Sequence, residues 1–233
     1  MPRRFQAVCL LILALLLVFS TPAIPQSEAS AVVTFTLDFP GSQPEHYSIR
    51  IPSDGEARYQ SSGRVSADSD ETDSHGSDSQ DSDSFDLNFT LTAETRRKIF
   101  ELAAKAGYFQ KDVDSHGKRL AFTGKKTLGY KDAQHTGEST YNFSSIPAVQ
   151  ELTSLLQSLS ATLEFGHRLQ YDHHYQKLAL NEELKRMEEM AHGHQLIEVA
   201  AIRPILDQII ADPSVMNIAR ARAQHLLQAD GIQ

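Results

Sequence analysis

Phe85-Asp86-Leu87-Asn88-Phe89-Thr90-Leu91 runs straight into Thr92-Ala93-Glu94-Thr95-Arg96-Arg97-Lys98-Ile99-Phe100-Glu101-Leu102-Ala103. The change of period within this stretch decides the fold. Phe85, Leu87, Phe89 and Leu91 alternate with polar residues, the pattern of a strand with one buried face. Thr92 is a helix cap, and Glu94 places a carboxylate in the positive first turn. Ile99, Leu102, Ala103 and Ala106 then fall at helical spacing, and Gly107 follows where a left-handed residue ends a helix. The pattern predicts a strand that feeds a helix.

Outward from this junction the alternation continues. Upstream, Val33, Phe35, Leu37 and Phe39 alternate with Thr34, Thr36 and Asp38. Tyr47, Ile49 and Ile51 do the same, Pro52-Ser53-Asp54-Gly55 supplies turn chemistry, and Ala57 and Tyr59 resume, which predicts a hairpin over 46–60. Downstream, Leu120 with Phe122, Leu128 with Tyr130, and Tyr141 with Phe143 predict three short strands, linked through Gly124 and Gly137 as an antiparallel meander. The fold class expected is α+β: residues 32–145 form an antiparallel sheet with one packed helix.

From Pro147 the period becomes helical, and residues 146–233 form a helical C-terminal region. Val149, Leu152, Leu156, Leu159 and Leu163 step by three and four, and the seam breaks at Gly166. Tyr171, Tyr175 and Leu178 resume the stepping, then Leu184, Met187 and Ala191, with Asn181 as a possible new cap. One bent helix or two in succession should end near Gly193. Val199, Ile202, Leu206 and Ile209 continue, with a kink or restart at Pro204. Asp212-Pro213 should start a last helix carrying Met216, Ala219, Ala223 and Leu226 on one side, with Gly231 past its end. These stripes bury most simply against one another; the alternative is a face that docks a partner or a second copy.

The N-terminus reads as an address. Arg3 and Arg4 precede thirteen apolar residues, Ala7 to Phe19, and small residues follow, ending in Ala29-Ser30-Ala31. Residues 1–31 therefore read as a secretory signal peptide, cleaved after Ala23 or, by the A-x-A rule, after Ala31. Thirteen residues of helix reach about 20 Å, short of a bilayer core of about 30 Å. Cys9, the single cysteine of 233 residues, lies inside this run. Removing it leaves a chain without disulfides or thiol chemistry, which favours a bacterial periplasmic or secreted protein over a eukaryotic one.

Charge is unevenly distributed. The chain carries 22 Lys and Arg against 30 Asp and Glu, a net −8 that excludes a generic nucleic-acid binder. The whole excess lies in residues 65–86, which hold eight acids and no Lys or Arg. Residues 62–84 are expected to be a disordered Ser/Asp loop, too poor in apolar groups to offset the entropy of ordering. The spacing argues against a tight EF-hand there, because Asp73 or Asp86 stands where glycine is needed at the sixth position, and leaves weak, diffuse cation binding as the alternative to a solvated loop. From Arg96 to Lys131 ten bases face three acids. A transient cover of this basic segment by the acidic loop, competing with an anionic partner, would be salt-sensitive.

The remaining chemistry is sparse. Phe122-Thr123-Gly124-Lys125-Lys126-Thr127 lacks the glycine and the Ser/Thr spacing of a phosphate loop and reads as a hairpin turn. No Gly-x-Ser-x-Gly elbow occurs, and Glu182-Glu183 and Glu188-Glu189 read as a solvated helix face. Asn88-Phe89-Thr90 and Asn142-Phe143-Ser144 match a glycosylation acceptor, incidentally for a bacterial chain. His167, His173, His174, His192 and His194 cluster within 28 residues beside Asp172, Glu188 and Glu189. Of these, His173, His174, Glu188 and His192 are the candidate metal ligands, with zinc or copper the natural ions, although no His-Glu-x-x-His is present.

The leader, the hairpin, the Ser/Asp loop, the Tyr59 and Phe85 strands, Leu128-Gly129-Tyr130 and the Leu-rich helix together resemble small exported bacterial proteins of uncharacterised function. That resemblance implies export and an α+β fold; it carries no activity and no site residues. The expectation is an exported soluble protein, secreted or periplasmic. It would act as a non-catalytic binding module for a protein or envelope component. No cofactor, no nucleic-acid partner and no membrane span after leader removal are expected. The alternative is a metal-binding protein or metal-dependent enzyme using the His167–His194 cluster, and a third is an assembly role for the helical arm.

Overall fold

The computed structural model describes residues 30–63 and 83–230. Residues 1–29 of the expected leader, residues 64–82 and residues 231–233, Gly231 among them, fall outside the described residues. Six antiparallel strands form one sheet in the order β4-β3-β2-β1-β5-β6. They are β1 (Val32–Asp38), β2 (His46–Pro52), β3 (Ala57–Gly63), β4 (Asp83–Phe89), β5 (Lys125–Lys131) and β6 (Thr136–Tyr141). The expected α+β class is what the chain adopts. Ser62 and Gly63 belong to β3, and Asp83 and Ser84 to β4, where they pair with one another. Residues 62, 63, 83 and 84 of the expected 62–84 loop are therefore strand, held by the ladder between β3 and β4.

Alternation sorts the sheet into two faces. Val33, Phe35, Tyr47, Ile49, Ile51, Ala57, Tyr59, Phe85, Phe89, Leu128 and Tyr130 are buried on one. Arg50, Arg58, Gln60, Asp86 and Asn88 are exposed on the other. On that open face Arg58 grips Asp86 with two hydrogen bonds, and Gln60 adds a third. Helices follow as α1 (Ala93–Lys105), α2 (Pro147–Tyr175), α3 (Leu180–His192), α4 (Arg203–Ala211) and α5 (Asn217–Asp230); α1 and α2 lie against the apolar face, α3 and α4 pack on α2, and α5 packs on α3 and α4. Thr92 caps α1 by accepting from the Thr95 amide, and Gly107, at φ +66°, follows its last turn. Sheet and helices share one contiguous core.

A buried polar cluster pins α2 to the sheet. The Tyr59 hydroxyl donates to Glu164 Oε1 at 2.7 Å and lies 2.9 Å from Ser160 Oγ. His167 stacks on Phe85, with its Nδ1 3.8 Å from Glu164 Oε2. Burial works to raise the Glu164 pKa, but hydrogen bonds from His167, Ser61 and Tyr59 outweigh it and hold the carboxyl below its ordinary value. Gly166 keeps α2 unbroken where the stripe was expected to fail. A Cβ there would stand 2.5 Å from Ile202 Cγ2, so the small residue lets the 3-10 turn Val199–Ile202 lie against the helix.

Several expectations are corrected. Leu120 and Phe122 form no strand; residues 118–124 are irregular, and both side chains are exposed. Phe143 is likewise exposed beyond β6, and Gly137 sits inside β6 instead of in a link. The segment 122–127 is the entry to β5; the hairpin turn is Asp132–His135, closed by Asp132 N donating to His135 O at 2.9 Å. After Pro147 the second of the two expected arrangements holds, two helices in succession, and Leu180 begins the second one residue before Asn181. Tyr175, the last residue of α2, and Leu178 beyond it point to solvent; Leu169 and Leu180 carry the buried stripe. The last helix starts at Asn217, since Asp212 accepts from Ser214 N and Oγ and holds a turn ahead of it, and Val215 is buried where Met216 was expected. Pro204 does mark a restart, in the first turn of α4. Among the described residues no helix is long and apolar enough to cross a membrane.

Candidate functional site

The register places Ser84, Ser62, His46, Asp38 and Lys125 in one row across the sheet. At the β5 side of that end, residues 111–124 form a long irregular loop between the turn Gly107–Phe109 and β5. A long loop of this kind needs its own internal bonding, and loops that have it are commonly functional.

Its first half winds around carboxylates. Asp112 Oδ1 accepts from the Asp114 amide at 2.9 Å, and Asp114 Oδ1 from the His116 amide at 2.6 Å. The His116 ring closes the turn at 2.7 Å from Asp112 Oδ2. Backbone hydrogen bonding from Asp114 and contact with His116 hold Asp112 below the ordinary carboxylate range, and Asp112 in turn holds His116 above the ordinary imidazole value. The other Asp114 oxygen accepts from the Asn142 amide at 2.8 Å, and Ser115 N donates to Phe143 O at 2.9 Å.

Its second half is held by two side chains from the sheet. Asn142 Oδ1 accepts from Thr123 N at 2.8 Å while Nδ2 donates to Ala121 O at 2.9 Å. Lys126, only 5% exposed, stands on the core-facing register of β5 with Leu128 and Tyr130. Its ammonium donates to Thr123 O and Oγ1, both at 2.9 Å, to Asn142 O at 3.0 Å and to Gly124 O at 3.2 Å. Burial pushes its pKa below that of an ordinary lysine. Gly124 is required at the base. Its φ is +95°, and a Cβ would meet Leu37 Cδ1 at 2.8 Å.

Beside these internally bonded groups the loop exposes apolar and cationic side chains. Leu120 is 44% and Phe122 59% exposed, and Phe143 beside Asn142 is 43% exposed. Phe122 is propped edge-on against Phe39, ring centres 5.8 Å apart. Lys111, Lys118, Arg119 and Lys125 are exposed around them. His116 at φ +50° and Arg119 at φ +80° hold left-handed conformations that side-chain-bearing residues seldom adopt.

The histidine cluster is dispersed onto other partners. His173 Nε2 lies 3.0 Å from Asp212 Oδ2, which also takes the Lys177 ammonium at 2.6 Å. His174 sits edge-on to Tyr175. Glu188 pairs with Arg222 and has His225 Nδ1 at 3.7 Å, and His192 lies in the last turn of α3. None of the four candidate ligands pairs with another, and among the described residues no group of three or more His, Cys, Asp or Glu is placed to hold a metal ion.

The groove at the start of α1, about 500 Å³ and lined by Thr95, Lys98, Leu155 and Glu198, is not an open anion site. Glu198 already fills the helix N-terminus, accepting from Thr92 N at 3.0 Å and Thr92 Oγ1 at 2.6 Å. Sequence reasoning missed Lys126 and Asn142. The available signal was parity, since Lys126 shares the register of Leu128 and Tyr130. Comparison with models of known protein families finds no match, and comparison with curated protein sequences finds none either.

Proposed function

We propose that this chain is an exported, non-catalytic binding protein that engages a protein or other envelope component through residues 111–124. One observation supports the reading above others: Leu120 and Phe122 stand 44% and 59% exposed on a loop whose polar groups are tied down beneath them. Such a surface is ordered before it meets a partner, so contact costs little further entropy. Export rests on Arg3-Arg4, the apolar run 7–19 and Ala29-Ser30-Ala31. Tyr59 bridges Ser160 and Glu164, and Glu164 also takes hydrogen bonds from His167 and Ser61, which favours a structural over a chemical use for the buried polar groups.

The test is co-sedimentation with envelope preparations from the exporting cell. The parent should sediment with the envelope, and Leu120→Ser/Phe122→Ser should lose about tenfold in apparent affinity, the order expected for two half-buried apolar contacts. Leu178→Ser, at an exposed apolar site distant in the fold, should bind as the parent does. Equal binding by all three proteins, or equal loss in both variants, would contradict the assignment.

A further inference from the structure

Resting on the assignment of residues 111–124 as the contact surface, we infer that the loop's partner is an anionic phospholipid surface, into which Leu120 and Phe122 insert while Lys118, Arg119 and Lys125 lie among the phosphates. The chemistry of the loop selects this occupant. Its acids are already engaged: Asp112, though exposed, is paired with His116, and Asp114 accepts from the His116 and Asn142 backbone amides. The stretch that follows them is exposed, cationic and apolar, with Lys118 and Arg119 immediately before Leu120 and Phe122 and with Phe143 alongside. Cations alone would suit an acidic polypeptide. Exposed Leu and Phe between cations ask for a hydrocarbon layer just beneath a layer of negative charge, the arrangement of a bilayer interface. Phe122 is braced by Phe39 and the loop base by Lys126 and Asn142, so the apolar side chains stay displayed in water instead of folding back.

Flotation of the full chain with vesicles of phosphatidylglycerol and phosphatidylcholine, against vesicles of phosphatidylcholine alone, tests the inference. All variants carry the same N-terminus, so any contribution of the apolar run 7–19 cancels. Binding should require the anionic lipid and weaken with salt. Each cation removed should cost about fivefold, so Lys118→Gln/Arg119→Gln should lose about 30-fold. Leu120→Ser/Phe122→Ser should lose about tenfold, with Leu178→Ser unchanged and all melting temperatures as in the parent. The lipid assignment is overturned by no preference for anionic vesicles, by loop variants that bind like the parent, or by binding to polyglutamate that depends on Lys118 and Arg119 but not on Leu120 and Phe122. If vesicle binding fails while envelope sedimentation still depends on Leu120 and Phe122, the lipid falls and the contact loop stands; if both fail, both fall.

Discussion

Replacing Lys126 with Met isolates what holds the contact loop in shape. Methionine keeps most of the length and the apolar stem of lysine and removes only the ammonium, which donates to Thr123 O, Thr123 Oγ1, Gly124 O and Asn142 O. Losing hydrogen bonds made by a charged group costs about 1.5–3 kcal/mol, and a buried acceptor left unpaired about 1–3 kcal/mol. Of the four contacts only that to Gly124 O is wholly buried, so water can reach the other acceptors and reduce the second cost. Methionine also relieves the burial of a cation, the effect that lowers the Lys126 pKa. The balance is a loss of about 2 kcal/mol in urea unfolding. The loss should be local in character. Amide exchange by mass spectrometry should quicken across residues 119–124 and at Asn142 well beyond any change at Tyr59 or Ile49. A variant as stable as the parent, with unchanged exchange in the loop, would show that the ammonium is tolerated in the core and clasps nothing.

Three further outcomes follow from packing and charge. Gly166→Ala should destabilise by about 1–3 kcal/mol through overpacking against Ile202 Cγ2, and adding Ile202→Ala should cost less than it does in the parent; strict additivity in urea melts would contradict this. Asp172 is raised to about 6 by burial and then by repulsion from Glu183. Because this lies above the unfolded value, stability should fall as pH rises from about 4 to about 6; Asp172→Asn should be about 1 kcal/mol more stable than the parent at pH 8 and no more stable below pH 4, read by thermal unfolding across pH. For the exposed His116–Asp112 pair the signs oppose. The His116 pKa is raised, so its contribution is complete below the ordinary imidazole value and lost as pH rises through the raised one. The Asp112 pKa is lowered, so its contribution is lost as pH falls below the ordinary carboxylate value. Exchange at residues 114–116, corrected for intrinsic rate, should be slowest between these limits, and His116→Gln should flatten the alkaline side; a pH-independent profile in the parent would refute the pairing.

The strands were legible because a sheet with one buried face writes its period into the sequence: Phe35, Ile49, Tyr59, Phe85 and Leu128 all face the core as their parity requires. The Thr92 cap and Gly107 stop were legible because capping is local chemistry. Leu120 and Phe122 misled because alternation reports spacing, not burial. What keeps them off the sheet is Asn142 and Lys126, bonds that reach 16 to 21 residues along the chain and leave no local pattern. The histidine cluster shows how sequence spacing and spatial pairing can part company. Nearness in sequence suggested a shared ion, but the helices give His173 to Asp212 and Glu188 to Arg222. The starts of α3 and α5 were misjudged because Ala179 begins one helix without a side-chain cap, and Asp212 spends its carboxylate on a turn and on Lys177.

The absence of tryptophan from the chain makes the contact surface directly observable. Phe122→Trp introduces a single indole in the loop, and Leu178→Trp a single indole at an exposed apolar site on another part of the fold. Emission and acrylamide quenching of each are recorded in the free protein and on adding envelope preparations. The account predicts that the indole at position 122 shifts to the blue and is shielded from acrylamide while the one at 178 stays wet. Shielding at 178 alone, or at neither position while the protein is bound, would contradict it.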